Sequence, residues 1–396
     1  MGSHKKDKLK SVELFAGIGG FRIALDQAGI ETVWANDFDK TACHVYRDRF
    51  GNKEIVEGDI WKLIEDTPSH DLLTGGFPCQ PFSAAGKKKG IEDPRGTLFE
   101  AIVKILKKHE PDYFILENVK RLLLMDQGKH FATILDALSA LDYRIEWRVL
   151  NTAWFGLAQN RQRIFITGVH HRVLRREGLD CHDPAAIRLA TTEDLALLSD
   201  ESKHSILNAG EWSPIAEHGH HFKNWGVACG GNFITGQLDS FSQAQEPVLL
   251  TDVLEPTVDE KFDLHDSTLQ RLEDNKIRSK MIDGVEVISN QSGGARMGYT
   301  IFGTNGIAPT LTSSTSRHYE RYLVNGRYRR LTNIEYARIT GFPDHHCSAA
   351  KPLSQEYKLF GNAVAPHMVS WVVDRLTKDY YLLDTRVTES QMRLYA

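Results

Sequence analysis

Cys79 stands between Pro78 and Pro81 in the run Gly75-Gly76-Phe77-Pro78-Cys79-Gln80-Pro81-Phe82-Ser83. The two prolines restrict the backbone and hold the thiol in a defined direction. A cysteine is most often a small core residue, but one so placed at a strand's carboxyl end is a candidate for nucleophilic catalysis by a thiolate. Glu117 closes the apolar run that starts at Tyr113 and brings a carboxyl group to the same edge; helix capping is its plainer alternative. Arg161 and Arg163, in Gln159-Asn160-Arg161-Gln162-Arg163, supply two guanidinium groups, a pair that loops commonly leave solvated.

A second constellation lies near the start. Phe15-Ala16-Gly17-Ile18-Gly19-Gly20 falls between a strand and a helix, where glycines permit a tight turn and a ligand's close approach to the backbone. Asp37 follows about twenty residues on, at the usual distance for a carboxylate that holds a ribose diol. Asp59 ends the next strand. Each of these is explicable singly as a turn or cap residue. Their serial placement favours an adenosine-bearing ligand, either a nicotinamide cofactor or S-adenosylmethionine.

The elements that must position these residues alternate. Strands are expected at Ser11–Ala16, Thr32–Asn36, Glu54–Ile60, Asp71–Gly76, Tyr113–Glu117, Ile145–Asn151 and Arg163–Val169, and helices at Phe21–Ala28, Lys40–Phe50, Leu98–Lys108 and His130–Leu141. This rhythm implies an α/β fold, a Rossmann-like doubly wound and mostly parallel sheet with ligands at the strands' carboxyl ends. The short loop between the last two strands implies an antiparallel edge pair. After residue 170 no period is sustained, and the glycines at 293–306 suit a smaller irregular or β module. Helical patterning returns at Thr332–Thr340 and His367–Leu383.

The chain has 396 residues and a net charge of −4, unevenly spread. Residues 185–275 carry sixteen acidic and five basic side chains, whereas 276–330 carry nine basic and three acidic. The basic stretch can present a phosphate-binding surface, although solvated surface charge explains it equally well. Five cysteines without a C-x-x-C pair argue against disulfides or a thiolate zinc site and for a reducing cytosol. His218, His220 and His221 are read as surface side chains, so no metal is expected. No run is long and apolar enough to span a membrane, and residues 1–10 are read as a leader outside the fold.

The ordered series FAGIGG, GGFPCQPFS, ENV, QNRQR, R-x-LT-x-x-E-x-x-R-x-x-GFPD (Arg329 to Asp344) and GN-x-V (Gly361 to Val364) resembles that of bacterial-type DNA cytosine-5 methyltransferases. The resemblance implies the S-adenosylmethionine-dependent methyltransferase fold. It also implies methyl transfer to C5 of a flipped-out cytosine through a covalent Cys79–C6 adduct, with S-adenosylhomocysteine as product. Glu117 would protonate N3, Arg163 hold O2 and Arg161 support the catalytic loop, with Gln80 and Asn118 as further catalytic residues. Phe15, Gly17, Gly19, Asp37, Phe38, Asp59, Ile60, Pro78, Leu98, Asn362 and Val364 would line the cofactor site. Asp37 and Phe38 stand where many relatives carry glutamate and tryptophan, and keep the contact types. Ser83, Arg95, Arg296, Met297 and Thr310 would meet DNA, Thr310 beside the flipped base.

The same resemblance divides the chain into a catalytic domain (11–170), a target-recognition domain (171–325) with an acidic insertion at about 171–275, and a returning C-terminal segment (326–396). Double-stranded DNA is the expected partner, for a monomer in the bacterial cytosol at the nucleoid, within restriction-modification or phage defence and beside a cognate nuclease or defence protein. A tRNA cytosine-5 methyltransferase is the alternative, and a nicotinamide-dependent oxidoreductase would leave Cys79, Glu117 and Arg163 without a task.

Overall fold

The computed structural model describes residues 8–78, 97–246, 248–270, 279–290, 300–313 and 320–377. Successive strand residues point to opposite sides, so apolar runs become strands buried on both faces. Leu73, Leu116, Ile164 and Ile166 pack under the helices Leu98–His109 and Lys129–Ser139. Their neighbours Leu72, Ile115 and Phe165 face the other way, onto the helices Gly20–Gln27 and Pro366–Thr377. The chain's late segment thus closes the layer that its first helix opens.

The main sheet comprises β1 (Lys10–Leu14), β2 (Glu31–Asp37), β3 (Ile55–Glu57), β4 (Leu72–Gly76), β5 (Tyr113–Val119), β6 (Tyr143–Asn151), β7 (Gln162–His170), β8 (Ser213–Pro214), β9 (Trp225–Cys229) and β10 (Asn232–Gly236). Its ten strands follow the order β3-β2-β1-β4-β5-β7-β6-β9-β10-β8. The first five in this order pair in parallel, and β7 enters antiparallel between β5 and β6. This is the S-adenosylmethionine-dependent methyltransferase arrangement that the motif series implies.

The β6–β7 pair is antiparallel as expected but is not an edge, because β9 pairs with β6. The reason lies in β6 itself, whose second face carries Arg144, Glu146 and Arg148, all buried. Buried charge must be paired or hydrogen-bonded. Glu146 accepts from the backbone amides of Arg188 (2.7 Å) and Leu189 (3.0 Å) and from Trp225 Nε1 (3.0 Å). Arg148 meets Asp194 at 2.7 Å. Much of the stretch read as an acidic insertion is therefore drawn over the sheet, and its residues 213–236 continue the sheet itself.

Cys181 and Cys229 are joined by a disulfide, contrary to the expectation from cysteine spacing. The thiols lie 48 residues apart and meet only because β9 reaches the β6 edge beside the 180–182 loop. Spacing along the chain holds no trace of that encounter.

A smaller sheet has the order β11 (Lys280–Ile282), β12 (Val285–Asn290), β13 (Thr300–Phe302), β14 (Arg321–Val324) and β15 (Arg327–Arg329). Its Val285, Phe302 and Tyr322 share one apolar cluster with Ile18, Ala158 and Phe360 of the body. The helix Asn333–Thr340 follows, started by a Thr332/Glu335 capping box and stopped by Gly341 at φ +84°.

Candidate active site

Strand register brings Glu117 and Arg163 together. Val119 lies opposite Arg163 in the antiparallel β5–β7 pair, so Glu117, two residues earlier, is Arg163's diagonal neighbour on the same face. Arg163 Nε stands 2.9 Å from Glu117 Oε1. On the parallel side Gly76 pairs with Glu117, and a Cβ there would press to 3.3 Å from Glu117 Oε2. The glycine ending β4 thus leaves room for the carboxyl group.

Both groups are buried, and burial pushes the Glu117 carboxyl above its ordinary range against the opposing pull of Arg163 and Arg161. Burial pushes Arg163 down, with Glu117 opposing. Among the described residues no second donor reaches the Glu117 carboxylate, and Arg163 places Nη1 on the Gln162 carbonyl at 2.8 Å. Among the described residues Nη2 of Arg163 makes no hydrogen bond. A carboxyl held toward its neutral form beside a fixed cation can donate a proton and orient a carbonyl oxygen.

Asn118 is a positioning residue. Its amide donates to the Phe77 carbonyl at 2.9 Å, tying the end of β5 to the segment that leads through Pro78 to position 79. Cys79, Gln80, Ser83, Arg95, Arg296 and Met297 lie outside the described residues.

A cleft of about 430 Å³ runs from Glu117, Asn118, Arg161 and Arg163 past Phe77 and Pro78 to the Gly-rich turn. Of the residues expected around the cofactor, Phe15, Gly17, Asp37, Pro78, Asn362 and Val364 line it, with Ile18, Asp39, Leu359 and Ala363 in addition. Asp37 accepts from the Gly17 amide (2.7 Å) and the Asp39 amide (2.8 Å), and these bonds hold its carboxylate across the turn. A Cβ on Gly20 would come within 2.3 Å of the Val364 carbonyl oxygen, so only glycine lets the late turn close over the first helix.

Other expected cofactor residues sit elsewhere. Asp59 caps a short helix by accepting from Trp61 N at 3.1 Å, and Ile60 is a core side chain. Gly19 backs onto Phe50, and Leu98 opens the helix behind Phe77; among the described residues lining the cleft, none of these four appears. Phe38, between Asp37 and Asp39, is 77% exposed, as suits an aromatic that stacks on a flat ring at a rim.

Arg161 has a structural task among the described residues. Its guanidinium donates to the carbonyls of Leu311 (3.0 Å), Gly361 (2.8 Å) and Ala363 (3.0 Å), and burial pushes its pKa down to about 9, with Arg163 adding to the fall. Among the described residues it clamps two distant segments to the start of β7. Asp39 was missed, although its place before a helix marks it as a cap; it also pairs with Lys358 at 2.8 Å.

Thr310 donates to the Asn160 carbonyl at 2.6 Å and lines a second cleft of about 520 Å³. Lys120, Asn160 and Gln162 form its body side, and Ile282, Asp283 and Val287 its small-sheet side. His218 packs on Phe222 with ring centroids 3.9 Å apart, a packing role. The His/Cys grouping among the described residues is instead His171, Cys181 and Cys229.

The family model for C-5 cytosine-specific DNA methylase matches residues 9–378. The chain is 32% identical to Type II methyltransferase M1.ScrFI of Lactococcus lactis subsp. cremoris, over 94% of this chain and 79% of that protein. It is 31% identical to Type II methyltransferase M.HhaI of Haemophilus parahaemolyticus, over 93% and 95%. In fold it resembles the S. pombe Dnmt2 methyltransferase structure, with a TM-score of 0.61 at 19% identity, covering 93% of this chain and 98% of that one. With a cleft that joins an acid–guanidinium pair to a Gly-rich turn, and a family match over nearly its whole length, this chain belongs to the C-5 cytosine-specific DNA methylases, enzymes that take their methyl group from S-adenosylmethionine.

Proposed function

We propose that Cys79, Glu117 and Arg163 carry out the methylation of cytosine C5 in double-stranded DNA at one end of the main cleft, and that its other end holds S-adenosylmethionine. The observation that carries this assignment is the continuity of the cleft from the Glu117–Arg163 pair to Asp37. The volume of about 430 Å³ lies within the range of small-molecule sites. The donor set fits the ligand: the Asp37 carboxylate for ribose hydroxyls, Phe15, Ile18 and Val364 for apolar surface, Asn362 for a polar group, and Phe38 at the rim for the adenine. When bound, S-adenosylmethionine supplies an electrophilic sulfonium methyl to C5.

Cytosine C5 is a weak nucleophile until a group adds at C6. The Cys79 thiolate forms that bond, and the electron pair moved toward N3 is met by the proton of Glu117. Arg163, with Nη2 unspent, holds the base O2. After methylation the C5 proton is lost, the C6–S bond breaks, and Glu117 recovers its proton from N3. Atoms C5 and C6 are shut within the base stack, so the base must leave the helix before it can enter the cleft.

We assign the duplex to the second cleft, between the body and the small sheet, with Lys120 on one wall and the β11–β12 turn on the other. Thr310, fixed to the Asn160 backbone, stands where the two clefts adjoin through the β7 start. The corresponding division is a body of residues 9–246 and 332–377 and a small-sheet unit of 248–331, with Ser83, Arg95, Arg296 and Met297 as further DNA contacts. The relatives named Type II methyltransferases favour DNA over tRNA as substrate, and a role in marking DNA against a cognate nuclease.

DNA carrying 5-fluorocytosine at the target position tests the mechanism, because the C5 substituent cannot leave as a proton. Wild type should yield a complex that survives denaturation. The same complex recovered from Cys79→Ala would overturn the assignment.

A further inference from the structure

At the edge of the main sheet remote from the cleft, four side chains of metal-ligating type gather. Cys229 ends β9, and its Sγ is 3.5 Å from His171 Nε2, at the end of β7. Cys181, in the loop beyond, has its Sγ 3.4 Å from His182 Nδ1. The ligand atoms of His171, Cys181 and Cys229 all fall within 4.8 Å of one another. A tetrahedral zinc with Zn–S of about 2.3 Å and Zn–N of about 2.0–2.1 Å has sulfur–nitrogen edges of about 3.6 Å. Both sulfur–nitrogen separations sit at that value. His171 and the two sulfurs thus offer three ligand atoms to one ion once the disulfide is opened and the sulfurs part, and His182 beside Cys181 is the candidate fourth.

Carboxylates stand behind it. Asp142 Oδ1 is 3.9 Å from His171 Nδ1, longer than a hydrogen bond but near enough to place negative charge beside that ring. Asp180 Oδ1 lies 3.1 Å from His182 Nδ1 and accepts from the His182 amide at 2.9 Å, adding negative charge beside the cluster. Cys229 is fully buried, whereas Cys181, His171 and His182 are half-buried and open to an entering ion.

We infer that His171, Cys181, His182 and Cys229 form a structural site for a zinc-class divalent cation in the reduced chain. The disulfide takes two electrons from a phosphine, which leaves as its oxide with an oxygen from water, and the two protons of that water convert it to two thiols. Cation binding then displaces two thiol protons and forms two metal–sulfur bonds. The site does not reach the reacting groups: β7 begins at Arg163's neighbour Gln162 and ends at His170, with the full strand between cleft and cluster. What the cation secures is the segment that covers β6, where Arg144 donates to the carbonyls of Cys181 (3.0 Å) and Ala186 (2.6 Å).

The experiment is a cobalt(II) titration of the full-length chain, reduced with a phosphine and stripped of metal. One equivalent should bind with the visible bands of tetrahedral cobalt and a thiolate charge-transfer band, and zinc should displace it. Cys79→Ala should titrate like wild type. The double variant His171→Gln/His182→Gln should lose the bands and the zinc-induced rise in Tm while still forming the disulfide on oxidation. Asp142→Asn should weaken binding about tenfold. A folded, reduced wild type without thiolate–cobalt bands, or bands retained by the double histidine variant or by Cys181→Ser/Cys229→Ser, would overturn the assignment. Trapping by 5-fluorocytosine DNA should be unchanged in the histidine variant, so this outcome is separate from that of the methylation mechanism.

Discussion

Two buried arginine–glutamate pairs, one in each sheet's neighbourhood, differ in a way that separates chemistry from architecture. At the end of the small sheet Arg329 grips Glu335 with two parallel bonds of 2.8 and 2.7 Å. Glu335 also accepts from the Thr332 amide at 2.7 Å and the Glu255 amide at 3.0 Å, so its acceptor capacity is spent within the fold. At the end of β5 Glu117 meets Arg163 through one contact of 2.9 Å and faces a cleft. A closed pair specifies structure, whereas an open one keeps a proton and donors for a substrate. The motif from Arg329 to Asp344 resembles the family as strongly as ENV does, yet its charged residues hold the molecule together: Arg338 likewise binds Asp344 at 2.9 and 2.7 Å.

This contrast can be broken by exchange. Glu117→Gln should lower kcat by roughly 10²–10⁴-fold, the usual worth of general acid catalysis, with little change in Tm. Glu335→Gln should do the reverse, costing about 3–5 kcal/mol of stability by leaving Arg329 buried without its partner, while the folded fraction keeps its kcat. Thermal melts and single-turnover methylation measured on both variants decide the matter; a stability loss at Glu117 equal to that at Glu335 would erase the distinction.

Smaller effects sharpen it. Asn118→Ala removes the bond to the Phe77 carbonyl, and a loss of about 1–1.5 kcal/mol corresponds to a fall in kcat of about tenfold. Binding of S-adenosylmethionine by calorimetry should be little altered. Glu13 gives a pH test away from the cleft. Burial raises its carboxyl from 4.5 to about 8, with the Tyr46 hydroxyl, 3.0 Å away, opposing. Because the folded state holds this proton more tightly than the unfolded chain, Glu13 favours folding fully below pH 4.5 and loses that advantage as pH rises through about 8. Glu13→Gln should flatten that decline in melts recorded across the window.

Wherever a residue's position follows from a strand end, sequence reading located it. Asp37 and Glu117 are such cases, since a parallel sheet delivers its carboxyl ends to one edge, and Arg163 meets them there because antiparallel β7 begins at that edge. Asp59 and Ile60 do not end a strand as expected, because β3 stops at Glu57 and the chain turns at once into a short helix that Asp59 caps. The clamp made by Arg161 was not legible for another reason: its three carbonyl partners come from segments about 150 and 200 positions on.

The sequence by itself determined the family and the alternating body, and it set Asp37 and Glu117 at strand ends, because each rests on local pattern and on the order of motifs. Tertiary structure alone decided which charged pairs are closed and which is open, that β9 covers β6, and that Cys229 comes to lie beside Cys181 and His171. Those outcomes depend on how buried charges on one strand find partners from segments far along the chain, and no local periodicity records that search.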